Sequence, residues 1–167
     1  MTTEWSRMTA KAAAYSRWML VPPPLLFAGV FGLGMVVQRW LPLGLLPEAL
    51  ASLTPWLGGV CLALGVALTM SCVALFARRR TTIVPHARAN SLVAVGPYRV
   101  TRNPMYLGLT LVYLGATALT NTLWPLLFLA LPLWVLQTRV IPFEEQTLTA
   151  AFGDQYAAYS AQVRRWL

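Results

Sequence analysis

The feature that most constrains this chain is an apolar run over residues 54–76, which contains 23 residues and no charged side chain. As an α-helix it would be roughly 34 Å long, enough to cross a hydrocarbon core about 30 Å thick. The run is continuous, and a backbone in lipid must satisfy its own hydrogen bonds, so the run predicts a helix and not a barrel strand. The sequence therefore favours an integral membrane protein of the all-α class.

Three further apolar segments bring the predicted fold to about four transmembrane helices. The first covers roughly residues 18–37, the third residues 104–119 and the fourth about residues 123–143. The short segment Thr120-Asn121-Thr122 predicts a tight turn, so the last two helices form a hairpin that returns the chain to the face it left. A composition of 57% hydrophobic and 11% charged residues agrees with a polytopic membrane fold.

The 167 residues are interpreted as one membrane domain, with two apolar spans in residues 1–80 and the hairpin and tail in residues 92–167. The tail, residues 146–167, carries apolar side chains at spacings of three and four. This pattern predicts a C-terminal amphipathic helix, with a kink at Gly153. The apolar stripe consists of Leu148, Phe152, Tyr156, Tyr159, Val163 and Trp166.

The positive charge is distributed as in a membrane protein. Thirteen Lys and Arg against five Asp and Glu give a net charge of +8, and only Arg39 falls on the predicted outer side. This positive-inside pattern predicts a multi-pass protein of the cytoplasmic membrane with both termini in the cytoplasm, and it accounts for the charge without nucleic acid. Arg164 and Arg165 are interpreted as neighbours of anionic lipid headgroups. The tryptophans fall at predicted span boundaries, except Trp134 in mid-span.

Neither a disulfide nor a metal site is expected. Cys61 and Cys72 lie three turns apart on one predicted helix, where they cannot bridge each other. His86 is the sole histidine, and the sequence has no Cys/His cluster with the spacing of a metal site. The two cysteines are therefore interpreted as packing residues.

Polar residues that lead into the third helix form a candidate site, which we call the mouth (residues 96–108). Asn103 predicts a side-chain N-cap, and Pro104 fits the first helical position, where no backbone donor is missed. Polar side chains at the end of a membrane helix are costly unless they meet each other, water or a ligand. The hairpin brings Glu144 and Glu145 to the same face, so the acids and the mouth are expected to meet.

These motifs, in this order, resemble the isoprenylcysteine carboxyl methyltransferase and phospholipid methyltransferase family of membrane enzymes. The family pattern has Gly-Pro-Tyr, then Arg-His-Pro-x-Tyr-x-Gly, a hydrophobic hairpin, and Glu-Glu-x-x-Leu-x-x-x-Phe-Gly-x-x-Tyr-x-x-Tyr. The chain matches it over about residues 92–167, from Gly96-Pro97-Tyr98 through Arg102-Asn103-Pro104-Met105-Tyr106-Leu107-Gly108 to Glu144-Glu145 and Phe152-Gly153 with Tyr156 and Tyr159. One departure is Asn103, where the family often has histidine, because asparagine cannot titrate near neutral pH.

The resemblance implies a methyltransferase that uses S-adenosylmethionine, bound at the cytoplasmic mouth under the tail. It implies catalytic roles for Arg102, Glu144 and Glu145. It implies no metal. It implies cofactor contacts from Gly96, Pro97, Tyr98, Arg102, Asn103, Pro104, Tyr106, Leu107, Gly108, Glu144, Glu145 and Tyr156. Glu144 or Glu145 would accept from the cofactor ammonium or ribose, and Arg102 or Arg99 would pair with its carboxylate. The tyrosines would stack on its adenine or bind its hydroxyls.

The implied methyl acceptor is a lipid-soluble molecule, such as a prenylcysteine-type carboxylate, that arrives from the surrounding membrane lipids. A phospholipid amine or a small thiol stays open as the acceptor, as does the oligomeric state. A nicotinamide-dependent membrane reductase has a similar helical scaffold but a longer helix count and no Glu-Glu ending. A non-catalytic scaffold or lipid-binding protein is the remaining alternative, in which Asn103 only caps a helix, Gly108 only permits helix packing and the two acids are solvated.

Overall fold

A computed structural model describes residues 21–79 and 92–167, and every regular element in these ranges is helical. Residues 18–20, which begin the first predicted span, and His86 lie outside the described residues. The helices are α1 (Pro23–Trp40), α2 (Thr54–Arg79), α3 (Pro104–Leu119), α4 (Leu123–Phe128), α5 (Ala130–Val135), α6 (Ile141–Phe152) and α7 (Asp154–Gln162), with 3₁₀ turns at Glu48–Leu53 and Gly96–Arg99 and a π turn at Leu136–Val140. The all-α prediction is confirmed for this part of the chain.

Two of the described helical stretches are long and apolar enough to cross a membrane. They are Ala49–Arg78 and Leu123–Phe152, each of 30 residues. The apolar helix α3 is shorter and has 16 residues. Its bounds, Pro104 and Leu119, are those predicted from the sequence. Trp40, at the end of α1, and Trp56, in the first turn of α2, are largely exposed where the sequence predicts span boundaries.

Glycines let α2 and α3 approach each other closely. Gly58 faces Gly115 and Gly65 faces Gly108, so the two helices run antiparallel. A Cβ atom on Gly65 would lie 2.7 Å from the carbonyl oxygen of Gly108, and one on Gly115 would lie 2.6 Å from the backbone nitrogen of Leu62. Small residues at such contacts allow backbones to pack together in membranes. This contact fixes the first turns of α3, which carry the mouth.

The buried core lies on the side of α3 away from α2, between α1 and the helical stretch Leu123–Phe152. Phe27 and Phe31 pack edge-on against the ring of Tyr113, with centroid distances of 6.0 and 5.3 Å. The Tyr113 hydroxyl donates to the Pro125 carbonyl oxygen at 2.8 Å, so its polar end is satisfied within the apolar core. Leu129, Leu136 and Ile141 complete the buried cluster.

Prolines divide the helical stretch Leu123–Phe152 into three helices. Pro125, Pro132 and Pro142 each lie within the first three residues of α4, α5 and α6. A proline has no backbone N–H, so it is tolerated in the first turn of a helix but interrupts a helix interior. Immediately before Pro142 the backbone widens into the π turn, in which the N–H of Ile141 bonds to the carbonyl of Leu136.

The prediction that the tail is helical to residue 167 is wrong. Gly153 breaks the helix at the predicted position, with φ of +50°, but α7 then ends at Gln162 and Val163 is extended, with φ of −117° and ψ of 128°. We call residues 163–167 the C-terminal strap. The strap leaves the helical path because its backbone bonds to the mouth: the Arg102 N–H donates to the Arg164 carbonyl at 2.9 Å.

Candidate active site

The mouth begins with a 3₁₀ turn that is held between α2 and α7. Gly96 has φ of +60°, a conformation that favours glycine, and the Pro97 carbonyl accepts the backbone N–H of Val100 at 3.1 Å. The Tyr98 ring packs edge-on against Phe76 at 5.7 Å, and its carbonyl accepts the Tyr159 hydroxyl at 2.8 Å. The turn is therefore fixed from both sides.

Asn103 begins α3 as predicted, and Pro104 takes the first helical position, but the predicted side-chain cap is wrong. The Asn103 amide nitrogen donates instead to the Arg165 carbonyl oxygen at 2.9 Å. The Thr101 hydroxyl donates to the same oxygen at 3.0 Å and accepts the Asn103 N–H at 3.2 Å. Asn103 is only 8% exposed, so its amide serves a buried contact with the strap.

Arg165 of the strap binds Glu145 through two hydrogen bonds. Its Nε donates to Oε1 at 3.0 Å, and its Nη2 donates to Oε2 at 2.6 Å. Such a paired contact fixes orientation as well as distance. Hydrogen bonding to Glu145 also raises the pKa of Arg165 above its ordinary value. Arg165, interpreted from the sequence as a headgroup neighbour, thus has a partner within the protein, whereas the adjacent Arg164 is exposed.

Arg102 lies against the same acid. Its Nη1 is 3.4 Å from Glu145 Oε1 and donates to the Tyr156 hydroxyl at 3.4 Å. The side chains of Arg102 and Glu145 are 18% and 21% exposed. Among the residues that the structure describes, Arg102 Nε is buried with no hydrogen-bond partner. A buried donor without a partner is uncommon and calls for a ligand or water.

Glu144 has a different environment from its neighbour. Its Oε1 accepts the Tyr106 hydroxyl at 2.6 Å, and within residues 21–79 and 92–167 it forms no ion pair. The hydrogen bond joins α3 to α6, as the hairpin prediction requires. Of the two adjacent acids, Glu145 is thus neutralised by two arginines. Among the described residues, Glu144 is held by one hydrogen bond from the Tyr106 phenol.

The phenols around the mouth are neutral donors near neutral pH. Burial raises the pKa of Tyr159 to about 12, and it raises the pKa of Tyr156 and of Tyr98 above the ordinary value. Desolvation has this effect because it disfavours the charged phenolate. Each hydroxyl therefore keeps its proton for hydrogen bonding.

An open apolar groove of about 510 Å³ adjoins the mouth. Its lining comes from the start of α3, from α5 and the π turn, and from the strap, and consists of Leu107, Thr110, Leu133, Trp134, Gln137 and Trp166. The Trp166 indole donates to Gln137 Oε1 at 2.8 Å. The groove was not predicted from the sequence, although the mid-span position of Trp134 was a signal for it.

The structure brings together most of the residues that the sequence singles out. Tyr98, Arg102, Asn103, Tyr106, Glu144, Glu145 and Tyr156 form one connected cluster. Gly96 and Pro97 shape the turn, Pro104 is buried in the helix start, and Leu107 lines the groove. Gly108 packs against Gly65 and Thr69 of α2. Thr101, Gln137 and Arg165 were not predicted as site residues, because no sequence spacing relates them to Glu144 and Glu145.

Comparison with known proteins identifies the family. The family model described as phospholipid methyltransferase matches residues 53–155, more than half of the chain, from α2 through the mouth and both acids. No curated protein and no solved structure matches the chain. With the motifs, the connected cluster and this match in agreement, the chain belongs to the phospholipid methyltransferase family, a family of integral membrane methyltransferases.

Proposed function

We propose that this chain is an S-adenosylmethionine-dependent membrane methyltransferase that acts on a lipid-soluble acceptor. The observation that carries the proposal is the mouth itself, where Arg102 and the Tyr106–Glu144 pair lie beside an apolar groove. The proposal includes four membrane spans, with the mouth and both termini at the cytoplasmic face. The two membrane-length stretches and the distribution of arginines support this topology.

The residues at the mouth fit the cofactor. S-adenosylmethionine carries a carboxylate, an ammonium, ribose hydroxyls and a flat adenine. The buried, unpartnered Nε of Arg102 would gain a carboxylate oxygen as its acceptor, and Glu144 would accept from the ammonium. Tyr98, Tyr106 and Tyr156 offer aromatic faces and protonated hydroxyls. When bound, the cofactor would supply an electrophilic methyl group on a sulfonium.

The remaining predicted contacts, Gly96, Pro97, Asn103, Pro104, Leu107, Gly108 and Glu145, complete the proposed cofactor region by shaping the mouth around these groups. The protein's main task in methyl transfer is to hold two reacting atoms in line and near contact. Tyr106 serves that task by fixing the Glu144 carboxylate through a 2.6 Å hydrogen bond. The close α2–α3 packing in turn fixes the helix that carries Tyr106.

The acceptor's apolar chain would lie in the groove, which offers leucine and tryptophan side chains and no charged residue. A carboxylate acceptor of the prenylcysteine type fits best, because it is already a nucleophile and needs no base. That requirement agrees with Asn103, which cannot act as a proton shuttle. A phospholipid amine is the second candidate, and the description of the matching family supports it. Glu144 would then be the group available to accept the proton.

Calorimetry on the detergent-purified protein tests the proposal. We expect S-adenosylmethionine and its demethylated product to bind with a Kd of about micromolar order, and a nicotinamide dinucleotide not to bind. Binding of the dinucleotide alone would support the reductase, and binding of none of the three would support the scaffold. Transfer of labelled methyl into prenylcysteine, compared with transfer into a total lipid extract, then separates the two acceptor classes. Gln155→Ala, on the exposed face of α7, is the control variant and should bind the cofactor as the wild type does.

A further inference from the structure

The sequence motifs did not predict the C-terminal strap. Three consecutive residues of the strap contact the proposed site. The Arg164 carbonyl accepts the Arg102 N–H, the Arg165 guanidinium binds Glu145, and the Trp166 indole donates to Gln137 in the groove. Five residues thus connect the mouth, one of the two acids and the groove.

We propose that the strap positions the mouth for methyl transfer and that Glu145 and Arg165 are positioning residues, which leaves Glu144 as the acid that contacts the ligand. This inference rests on the proposed function and assigns different roles to the two adjacent acids. Arg165, Glu145 and Asn103 act on the reaction through Arg102. Glu144 and Tyr106 act on the ligand directly.

The hydrogen bonds of Glu145 support this division. Arg165 uses both carboxylate oxygens, at 3.0 and 2.6 Å, and Arg102 Nη1 lies 3.4 Å from Oε1. A ligand ammonium would have to displace a paired guanidinium from a partly buried carboxylate, which is unfavourable because that guanidinium would lose its partner. Glu144 accepts one hydrogen bond from the described residues and has no cation to displace.

Arg102 is held by the strap at two points. Its backbone N–H bonds to the Arg164 carbonyl at 2.9 Å, and its guanidinium contacts Glu145, which Arg165 orients. The direction of its buried Nε therefore depends on a docked strap. Release of the strap would leave Arg102 in place along the chain but with its guanidinium free to rotate.

The asparagine at position 103 has a specific use in this arrangement. Its amide and the Thr101 hydroxyl both donate to the Arg165 carbonyl, at 2.9 and 3.0 Å. An amide donates at every pH in the physiological range, so the strap stays docked without a titrating group. Asn103, where the family often has histidine, thus serves strap docking and not proton transfer.

A double-mutant cycle on the purified full-length protein tests the inference. The variants are Glu145→Gln, Arg165→Gln and the double variant, with Arg139→Gln as the matched control, because Arg139 is exposed and its side chain has no hydrogen bond or ion pair with the described residues. Two quantities are measured: kcat and KM for methyl transfer, and the Kd of the demethylated cofactor. Carboxypeptidase trimming of the strap, followed by mass spectrometry, reports docking without any cofactor.

We expect Glu145→Gln and Arg165→Gln each to lower kcat by about tenfold or more and to speed carboxypeptidase trimming of the strap. The double variant should change kcat and the trimming rate no more than either single variant, because all three remove the same interaction. The Kd of the demethylated cofactor should rise by about threefold or more in both single variants and no further in the double variant, because each variant leaves Arg102 less well oriented toward the cofactor carboxylate. Methylguanidinium should partly restore kcat in Arg165→Ala. Glu144→Gln should also weaken cofactor binding, but trimming should stay slow.

Additive effects in the cycle, or loss of cofactor binding in Glu145→Gln with slow trimming, would show that Glu145 contacts the ligand directly and would overturn the inference. A variant that is misfolded is recognised by its thermal unfolding, and Arg165→Lys then replaces Arg165→Gln. If the wild-type protein neither binds the cofactor nor transfers methyl, the proposed function fails. The trimming rates then still decide whether the Arg165–Glu145 pair docks the strap.

Discussion

The two ends of the α3–α4 hairpin are both tied to distant parts of the chain, but by different chemistry. At the turn between α3 and α4, which we call the outer end after the proposed topology, Leu45 and Leu46 donate their N–H groups to the backbone and side-chain oxygens of Asn121, both at 3.2 Å. The Trp124 indole donates to the Leu41 carbonyl at 2.6 Å. All of these groups are neutral. At the mouth, the corresponding ties include both ion pairs found in the described residues.

The difference indicates which end is built for stability and which for chemistry. Charged groups at a membrane boundary are expensive, and they persist where they have a use. The outer end closes the hairpin with neutral hydrogen bonds. The mouth holds Arg102 with a buried donor unpartnered and Glu144 with a single hydrogen bond. Substitutions at the two ends should therefore separate stability from activity.

The largest expected effect is on activity at the mouth. Glu144→Gln keeps the side-chain shape and an acceptor for Tyr106 but removes the charge, so we expect methyl transfer to fall by about 100-fold, or roughly 2.7 kcal/mol. Thermal unfolding should be nearly unchanged. Initial rates with saturating acceptor measure the effect. Gln146 is exposed two residues after Glu144, so adding Gln146→Glu to Glu144→Gln tests whether any nearby acid restores the rate. Full activity in Glu144→Gln would show that this acid has no part in the reaction.

The second effect is on stability at the α2–α3 contact that supports the mouth. A Cβ atom on Gly115 would meet the Leu62 nitrogen at 2.6 Å and the Gly58 oxygen at 2.9 Å, and backbone atoms cannot move aside. Gly115→Ala should therefore cost about 1–3 kcal/mol through overpacking. Gly59→Ala on α2 is the control, because nothing lies within 4 Å of its Cβ position. Thermal unfolding in detergent compares them, and equal melting temperatures would contradict the close contact.

The third effect is on stability at the outer end. Asn121 has φ of +45° and its side chain accepts the Leu46 N–H, so Asn121→Ala loses a hydrogen bond and adopts a strained backbone. We expect a loss of about 1–2 kcal/mol. Asn121→Gly should lose less, because glycine tolerates this φ. Activity per folded molecule should not change in either variant, and a drop in kcat would show that the outer end affects the mouth.

The smallest effect is expected at Tyr159. Its hydroxyl donates to the Tyr98 carbonyl at 2.8 Å, so Tyr159→Phe should cost about 0.5–1 kcal/mol of stability. Because the hydrogen bond holds the 3₁₀ turn and not the acids, KM for the cofactor should rise only slightly. Chemical denaturation measures the first quantity and steady-state kinetics the second. A stability loss as large as that of Gly115→Ala would mean that the turn supports the whole mouth.

Periodicity and turn chemistry predicted much of this fold. Pro104 and the run that follows it gave the bounds of α3, and Thr120-Asn121-Thr122 gave the turn. The spacing of the motifs also placed Tyr106 near Glu144. These features depend on local backbone preferences and on the return of the hairpin, both of which are present in the sequence.

The strap and the groove could not be predicted in the same way. Val163 and Trp166 continue the apolar stripe of α7, so a helix to residue 167 is the local preference. Tertiary hydrogen bonds from Thr101 and Asn103 to the Arg165 carbonyl override it. The π turn likewise depends on packing around Leu136, which is fully buried. Residues that act through such long-range contacts leave no periodic pattern.

The most direct test of the central claim is to locate the cofactor along the hairpin. Ultraviolet crosslinking of tritiated S-adenosylmethionine to the purified protein, followed by peptide mapping, compares the two ends in one experiment. If the mouth is the active site, the label will map to residues 96–108 or 141–156, and excess unlabelled demethylated cofactor will abolish it. Label on residues 41–46 or 120–124, or label that the unlabelled competitor does not reduce, would contradict a cofactor site at the mouth.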